Sequence, residues 1–489
     1  MGSIKGVLAA LGALVITGAP SLSAQANDLL PYCLNQIEGV GAPADAPLTR
    51  HRQFGQLVLL QDQLKYLAQQ TDDEALGRCS LMLSRALAEY RPQPLLDPTQ
   101  LALEAQLRHL EQRDLKRLTI GAARCWQGFP EGTPTELDLS EPAVSRYLNL
   151  AEDTLCRERV WVAYQNRGYP DAQPVLEAHR QLSDQLARHQ GFASDAHRQL
   201  DGTPLSSPEE VAQFLAQLTV EGDRLPWAAR PPQTALDASS DKLAWEALHY
   251  LVALYGLTLA PISDNQMQLW EGERLLGYLT LEGAERHRVV SPQGHWIGLS
   301  PALVTLEYRE GPWYPRHWVQ YLAQLSETLV QMAGQPLPYQ GPVLAGGGYG
   351  FGRALARQPQ VQNALLGHTL TPRPLFPAAR LYQAQMALAV ASQARLDAVL
   401  LAEHSHRWFA QYFGRPAPKD LKPWFSHSDW AIAGARDYLP LWHAHQGQNW
   451  AQQWAEDALS GAQIWRDLTT WAPKPRAPKV PAELTAGVN

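Results

Sequence analysis

Apolar residues recur at alternating gaps of three and four along most of this chain, the period of helices that bury one face. Residues 50–69 place Phe54, Leu57, Leu60, Leu64 and Leu67 on one face, and 73–89 place Leu76, Cys79, Leu83 and Leu87 on another. This predicts an antiparallel helical pair with Cys79 turned inward. The pattern returns over 99–126 and 142–166, separated by a Gly- and Pro-containing turn at 128–134. Over 172–220 it predicts one long helix, a break at Gly191-Phe192, a short helical step, and a new helix starting at Ser206-Ser207-Pro208-Glu209-Glu210. Ser before a first-turn Pro, with acids beside it, satisfies the free N–H groups and the dipole of a helix start. The character changes at 267–270 and 275–281, short β-rich runs around Glu271-Gly272, and at 289–290 and 295–299, which flank a Ser-Pro-Gln-Gly turn. A small antiparallel sheet inside a mostly α-helical protein is expected. After it, Trp318, Leu322, Leu325, Leu329 and Met332 mark another amphipathic helix, with Pro315 in its first turn and Gly334 and Pro336 at its end.

A length of 489 residues with 45% hydrophobic and 18% charged side chains fits a folded globular chain. The net charge is −7 with Lys and Arg scattered, so no nucleic-acid footprint is visible. Residues 1–26 read as a secretory signal: Lys5 supplies the charge, 6–19 the apolar run, and Ala24-Gln25-Ala26 the cleavage site. That run is too short and Gly-rich to span a bilayer. The expectation is a soluble periplasmic or secreted protein with no membrane span after signal removal. Four cysteines, at 33, 79, 125 and 156, favour two disulfides in an oxidising compartment. Of the three connectivities, Cys33 with Cys79 and Cys125 with Cys156 has the lowest loop-closure cost. Residues 473–489, rich in Pro and Lys, are expected to be a disordered tail.

Several stretches carry a resemblance when taken in order. The first holds Arg180, Gly191, Phe192, Ala196, Ser207, Pro208, Glu209, Val211, Phe214 and Leu215; the second holds 254–257 (LYGL), Trp270 and 273–288. The text at 300–308 then leads into the 318–334 helix, followed by 358–361 with 381–404. Last come Phe425, His427, Tyr438, Leu441 and Trp442 within 423–446. In this order they resemble the M3 family of zinc oligopeptidases (thimet oligopeptidase, oligopeptidase A) over roughly 172–460. The resemblance implies two helical halves around a deep channel, with a peptidase-like body over 171–472 and an N-terminal helical region, 27–170, that carries the disulfides. It also implies that His427 and Tyr438 bind substrate in the channel.

The departures matter more for function. Ser326, Glu327 and Val330 stand where an H-E-x-x-H zinc helix has its His, Glu and second His, so only the Glu is present. The family's third ligand is a Glu further on, whereas 342–352 reads PVLAGGGYGFG without a carboxylate. Ser, Val and Gly cannot supply the donors that zinc requires. The resemblance therefore implies a degenerate metallopeptidase, with Glu327 at a vestigial base position, no metal or other cofactor expected, and a peptide or exported protein held in the channel. Two alternatives stay open: an active zinc-dependent oligopeptidase with atypical ligands, and a structural interaction protein.

Other candidate chemistry has a plainer explanation. A helical Glu is more often solvated than catalytic. His404 with His406 and His443 with His445 are two apart and fall on different sides of a helix. The 346–352 glycines lack the Lys-Ser/Thr of a phosphate loop and are expected to form a flexible loop. No nucleophile-elbow text surrounds Ser326, which discounts a pair with His427.

Overall fold

A computed structural model describes residues 29–43, parts of 53–64, 74–90, 97–112, 117–130, 136–219, 224–229, 233–293, 301–333, 346–370 and 375–470. The expected signal at 1–26 and tail at 473–489 lie outside the described residues. The chain divides into two compact units, Met1–Gln93 and Pro94–Asn489. It is mostly helical, and no described helix is long and apolar enough to cross a membrane.

In the first unit, α1 (Leu29–Gly39) and α2 (Glu74–Tyr90) share a core with helical turns within 53–64. Cys33, Leu57, Leu60, Leu64, Leu76, Cys79 and Leu83 are buried together, so the face read from the spacing is the face the fold buries. Cys33 pairs with Cys79 as expected, with Cα atoms 5.9 Å apart. A core of this size is marginal alone. The crosslink adds about 3–4 kcal/mol by restricting the unfolded chain.

The second unit opens with α3 (Pro98–Gln112), where the helix expected over 99–126 stops early. Instead β1 (Arg117–Thr119) pairs antiparallel with β2 (Glu136–Asp138), and Ala123–Trp126 forms a single 3-10 turn. Ile120 and Cys125 both enter a small core with Val144, Tyr147 and Cys156. Five residues apart, they would point about 140° away from each other on a helix, so burial of both breaks it. α4 (Glu141–Leu150) and α5 (Thr154–Gln165) follow, and Cys125 pairs with Cys156 as expected, at a Cα separation of 5.4 Å.

From 172 onward the elements follow their pattern. α6 (Gln173–His189) gives way to Gly191, whose φ of +86° is a conformation that glycine adopts without strain. α7 (Asp195–Leu200) is the short step, and α8 (Pro208–Gln217) begins with Ser207 accepting from the Glu210 amide at 3.2 Å. α9 (Ser240–Tyr255) leads into a sheet of β3 (Thr258–Pro261), β4 (Gln266–Glu271), β5 (Arg274–Ala284), β6 (Arg288–Gln293) and β7 (Ala302–Arg309). Its order is β3-β4-β5-β7-β6, and the ladders are antiparallel apart from β5 with β7, which run parallel. The parallel pair arises because β6 takes the outer edge and β7 returns between it and β5. Ala302, Val304, Leu306 and Tyr308 of β7 point inward at period two. The run expected at 295–299 lies outside the described residues.

α10 (Pro315–Ala333) is the expected amphipathic helix, with Trp318, Leu322, Leu325, Leu329 and Met332 all fully buried. It is followed by α11 (Gly347–Leu355), α12 (Pro359–Leu366), α13 (Ala378–Ala391), α14 (Ala398–Phe413), α15 (Ser428–Ile432), α16 (Leu439–Ala455) and α17 (Gly461–Thr470). One large core gathers α6, α8, α13, α14 and the start of α16, and a second gathers α9, the sheet, α10, α11 and α17.

The glycines at 346–352 correct the expectation of a flexible loop: residues from Gly347 onward are helical, as α11, and pack against both α10 and α16. A Cβ on Gly352 would sit 2.5 Å from the carbonyl oxygen of Leu322, and one on Gly350 would collide with the carbonyl of His443. Gly447 of α16 meets Gly350 backbone to backbone. Glycine weakens an isolated helix by about 1 kcal/mol per residue relative to alanine. Here close packing of backbones offsets that loss.

Candidate functional site

α10 carries the three positions that the family resemblance makes central. Ser326 is fully buried and its hydroxyl lies 2.7 Å from that of Tyr255 on α9. Burial pushes the Tyr255 phenol well up, so the pair is a neutral hydrogen bond and not a nucleophile with its base. Val330 packs at the margin of the second core. Glu327 accepts from the amides of Gly346 and Tyr349, each at 2.9 Å, and from Gln331 Nε2 at 3.0 Å. Those amides belong to the first turn of α11, whose unsatisfied N–H groups and positive dipole end favour a carboxylate. A Cβ on Gly348 would sit 2.8 Å from Glu327 Cα, and one on Gly352 would sit 2.7 Å from Ser326 Cβ. The face of α10 bearing Ser326 and Glu327 is thus covered by another helix.

Zinc does not fit these residues. Neither His is present, both oxygens of Glu327 are engaged by backbone N–H groups, and the backbone of α11 fills the facing space. Among the described residues, no three His, Cys, Asp or Glu side chains converge as metal ligands. His404 lies against Trp408 at 4.9 Å, and His445 meets Phe214 edge-on at 5.8 Å.

A pocket of about 180 Å³ opens around His427, lined by Glu111 of α3, Arg380 and Gln383 of α13, Asp429 and Trp430 of α15, and Asp437. His427 precedes α15, and its ring stacks on Trp430 at 4.5 Å. Its Nε2 lies 2.7 Å from Gln165 Oε1. With the amide oxygen accepting, Nε2 carries the proton and Nδ1 keeps the lone pair. Burial, helped by the nearby Arg167 charge, holds the imidazole down to about 3. His427 is therefore neutral at physiological pH. Arg380 Nη2 donates to Asp437 Oδ1 at 2.8 Å, while Asp437 Oδ2 is buried without a donor. Burial raises the Asp437 carboxyl against the pull of Arg380, and the Asp429 charge adds to the rise.

Tyr438, the other residue expected to bind substrate, is 1% exposed and points elsewhere. Its hydroxyl bonds to Thr203 Oγ1 and to the Leu205 amide, each at 3.1 Å. It braces the loop between α7 and α8. The pocket residues other than His427 come from separate segments and carry no motif in the sequence.

The neutral histidines make acid stability a direct test. His287, whose Nδ1 accepts from the Arg309 amide at 3.1 Å, is held down to about 4 by burial and by the neighbouring His317 and Arg309 charges. Unfolded imidazoles titrate near 6.5. Between there and the depressed folded values the unfolded chain binds the extra protons, so stability falls as pH drops. Thermal melts from pH 7 to pH 4 should show a steady loss, less steep in His427→Gln. An unchanged slope in that variant would remove the burial argument.

No protein-family model matches this chain. A search of curated proteins returned no match.

Proposed function

We propose that this protein is an exported, degenerate relative of the M3 zinc oligopeptidases, which holds a peptide or protein partner without cleaving it. The observation that carries the reading is the contact between α10 and α11, in which Glu327 serves the amides of Gly346 and Tyr349 and a glycine-lined backbone occupies the space beside Ser326. Two disulfides and the absence of a membrane-crossing helix among the described residues are compatible with export. Two helical halves flanking a channel belong to the same reading, supported by the two large cores of the second unit.

The energetics disfavour peptide cleavage by Glu327 alone. Bulk water has a pKa near 15.7, about nine above the value near 7 that a catalytic zinc confers. At 1.36 kcal/mol each this is about 12 kcal/mol, far beyond the ~10²–10⁴-fold that general-base help supplies. Glu327 acts here as a cap. Glu327→Ala is expected to lower stability by about 1 kcal/mol, the usual cost of losing a helix cap.

The test is elemental analysis of protein purified without chelator, followed by incubation with a quenched-fluorescent peptide library with and without added zinc. The expected result is retention of library members without cleavage. Stoichiometric zinc with chelator-sensitive cleavage that vanishes in Glu327→Ala would install the active oligopeptidase instead. Neither binding nor cleavage would favour a structural interaction protein.

A further inference from the structure

We propose that the pocket at His427 receives a neutral amide group, from a peptide backbone or a glutamine side chain, and that Gln165 is the residue that positions the imidazole for it; this deepens the binding reading above and rests on it. Most charges in the wall already have partners. Glu111 gives Oε1 to Arg167 at 2.5 Å and Oε2 to the amide and hydroxyl of Ser428 at 3.1 and 2.6 Å. Arg380 donates to Asp437 Oδ1, and the other oxygen of Asp437 is closed to solvent. Asp429 is exposed at the rim, where salt screens it.

The polar atoms left open are neutral. His427 commits Nε2 to Gln165 Oε1 on α5 at 2.7 Å and one ring face to Trp430, so its Nδ1 edge is the part left for the pocket. Nδ1 has no partner among the described residues and is not closed to solvent. Gln383 accepts on Oε1 from Arg380 Nη1 at 3.4 Å, and its amide nitrogen is likewise open and without a partner among the described residues. One neutral acceptor and one neutral donor on a shared wall match the N–H and C=O of an amide. Gln165 is buried, and its oxygen decides which imidazole nitrogen carries the proton. With Gln165 donating instead, Nδ1 would hold the proton and the pocket would lose its neutral acceptor. The size agrees: about 180 Å³ equals the share of roughly six waters at ~30 Å³ each, enough for a carboxamide and the carbons leading to it.

The experiment is calorimetric titration of the full chain with four short ligands, N-acetylated or O-acetylated and free of terminal charge. Three are alanine peptides ending in an N-methylamide, with glutamine, lysine or alanine at the centre. The fourth is an ester chain of lactic acid units, which keeps the carbonyls and lacks every backbone N–H. The glutamine peptide should bind tenfold or more tightly than the ester chain, and added salt should leave that affinity nearly unchanged. An alanine peptide that binds equally well assigns the amide to the backbone, and one that binds as weakly as the ester chain assigns it to the glutamine side chain. In nitrogen-resolved NMR the His427 imidazole, assigned by its loss in His427→Gln, should be protonated on Nε2. Gln165→Met should shift that signal toward a mixture of tautomers and weaken the glutamine peptide at least threefold. A proton on Nδ1 in the wild type, or a Gln165→Met variant with unchanged spectrum and affinity, would overturn the role of Gln165. Equal binding of the ester chain, or tighter binding of the lysine peptide, would overturn the amide assignment while the peptide-binding reading stands. Failure of all four to bind would overturn both.

Discussion

Replacing Arg180 with methionine should lower the unfolding free energy by about 3–5 kcal/mol, the range for breaking a buried ion pair from one side. Arg180 is fully buried on α6. Its Nη1 reaches Asp195 Oδ2 at 2.5 Å and the Ala431 carbonyl at 3.1 Å, its Nη2 the Ala391 carbonyl at 2.5 Å, and its Nε the Gln393 carbonyl at 3.2 Å. One guanidinium thus ties α6 to α7, α15 and the end of α13. Burial pushes the Asp195 carboxyl up, yet Arg180 and Arg198 together hold it below the usual carboxylate range. Without Arg180, several buried acceptors lose their donor at once. Lysine cannot restore them, because the forked planar donor set is what reaches two helices together. Urea unfolding of Arg180→Met, Arg180→Lys and the pair Arg180→Met with Asp195→Leu measures the effect. The double variant should recover part of the loss, since the unpaired carboxylate is gone. A loss under about 1 kcal/mol in Arg180→Met would contradict the role assigned to the cluster.

Gly350→Ala should cost about 3 kcal/mol, at the upper end for overpacking. The added methyl would meet the backbone carbonyl of His443, and Gly447 already fills the other side. A flexible side chain could swing away; a helix backbone cannot. Gly77→Ala is the control, because a Cβ there meets nothing within 4 Å on an exposed face of α2. That change should stabilise by about 0.5–1 kcal/mol, through helix propensity and a less flexible unfolded chain. Thermal melts that moved in the same direction for both variants would show that the α10–α11–α16 contact is looser than the distances indicate.

The helical run from 172 to 217 was legible because its signals are local. Ser207 caps, Pro208 starts, Gly191 stops, and each acts within a turn of its own position. The disulfide pairing was legible for a similar reason, since loop closure depends on separation along the chain. α11 was not legible. Its glycines argue against a helix in isolation, and only the neighbouring backbones of α10 and α16 reverse that preference. The helix expected over 99–126 failed in the opposite sense, where tertiary burial of Ile120 and Cys125 overrode a periodic pattern.

The candidate site divides along the same line. The residue types at 326, 327 and 330 already show one carboxylate and no imidazole, because ligand chemistry belongs to the side chain itself. That Glu327 serves the start of α11, that Tyr438 braces a loop, and that Glu111, Arg380, Asp429 and Asp437 meet His427 depends on segments far apart in the chain. Period, caps and cysteine spacing are short-range quantities, which the sequence determined by itself. Which backbone could approach which, and which charges were left without partners, only the tertiary structure decided, because both depend on groups that the order of residues does not bring together.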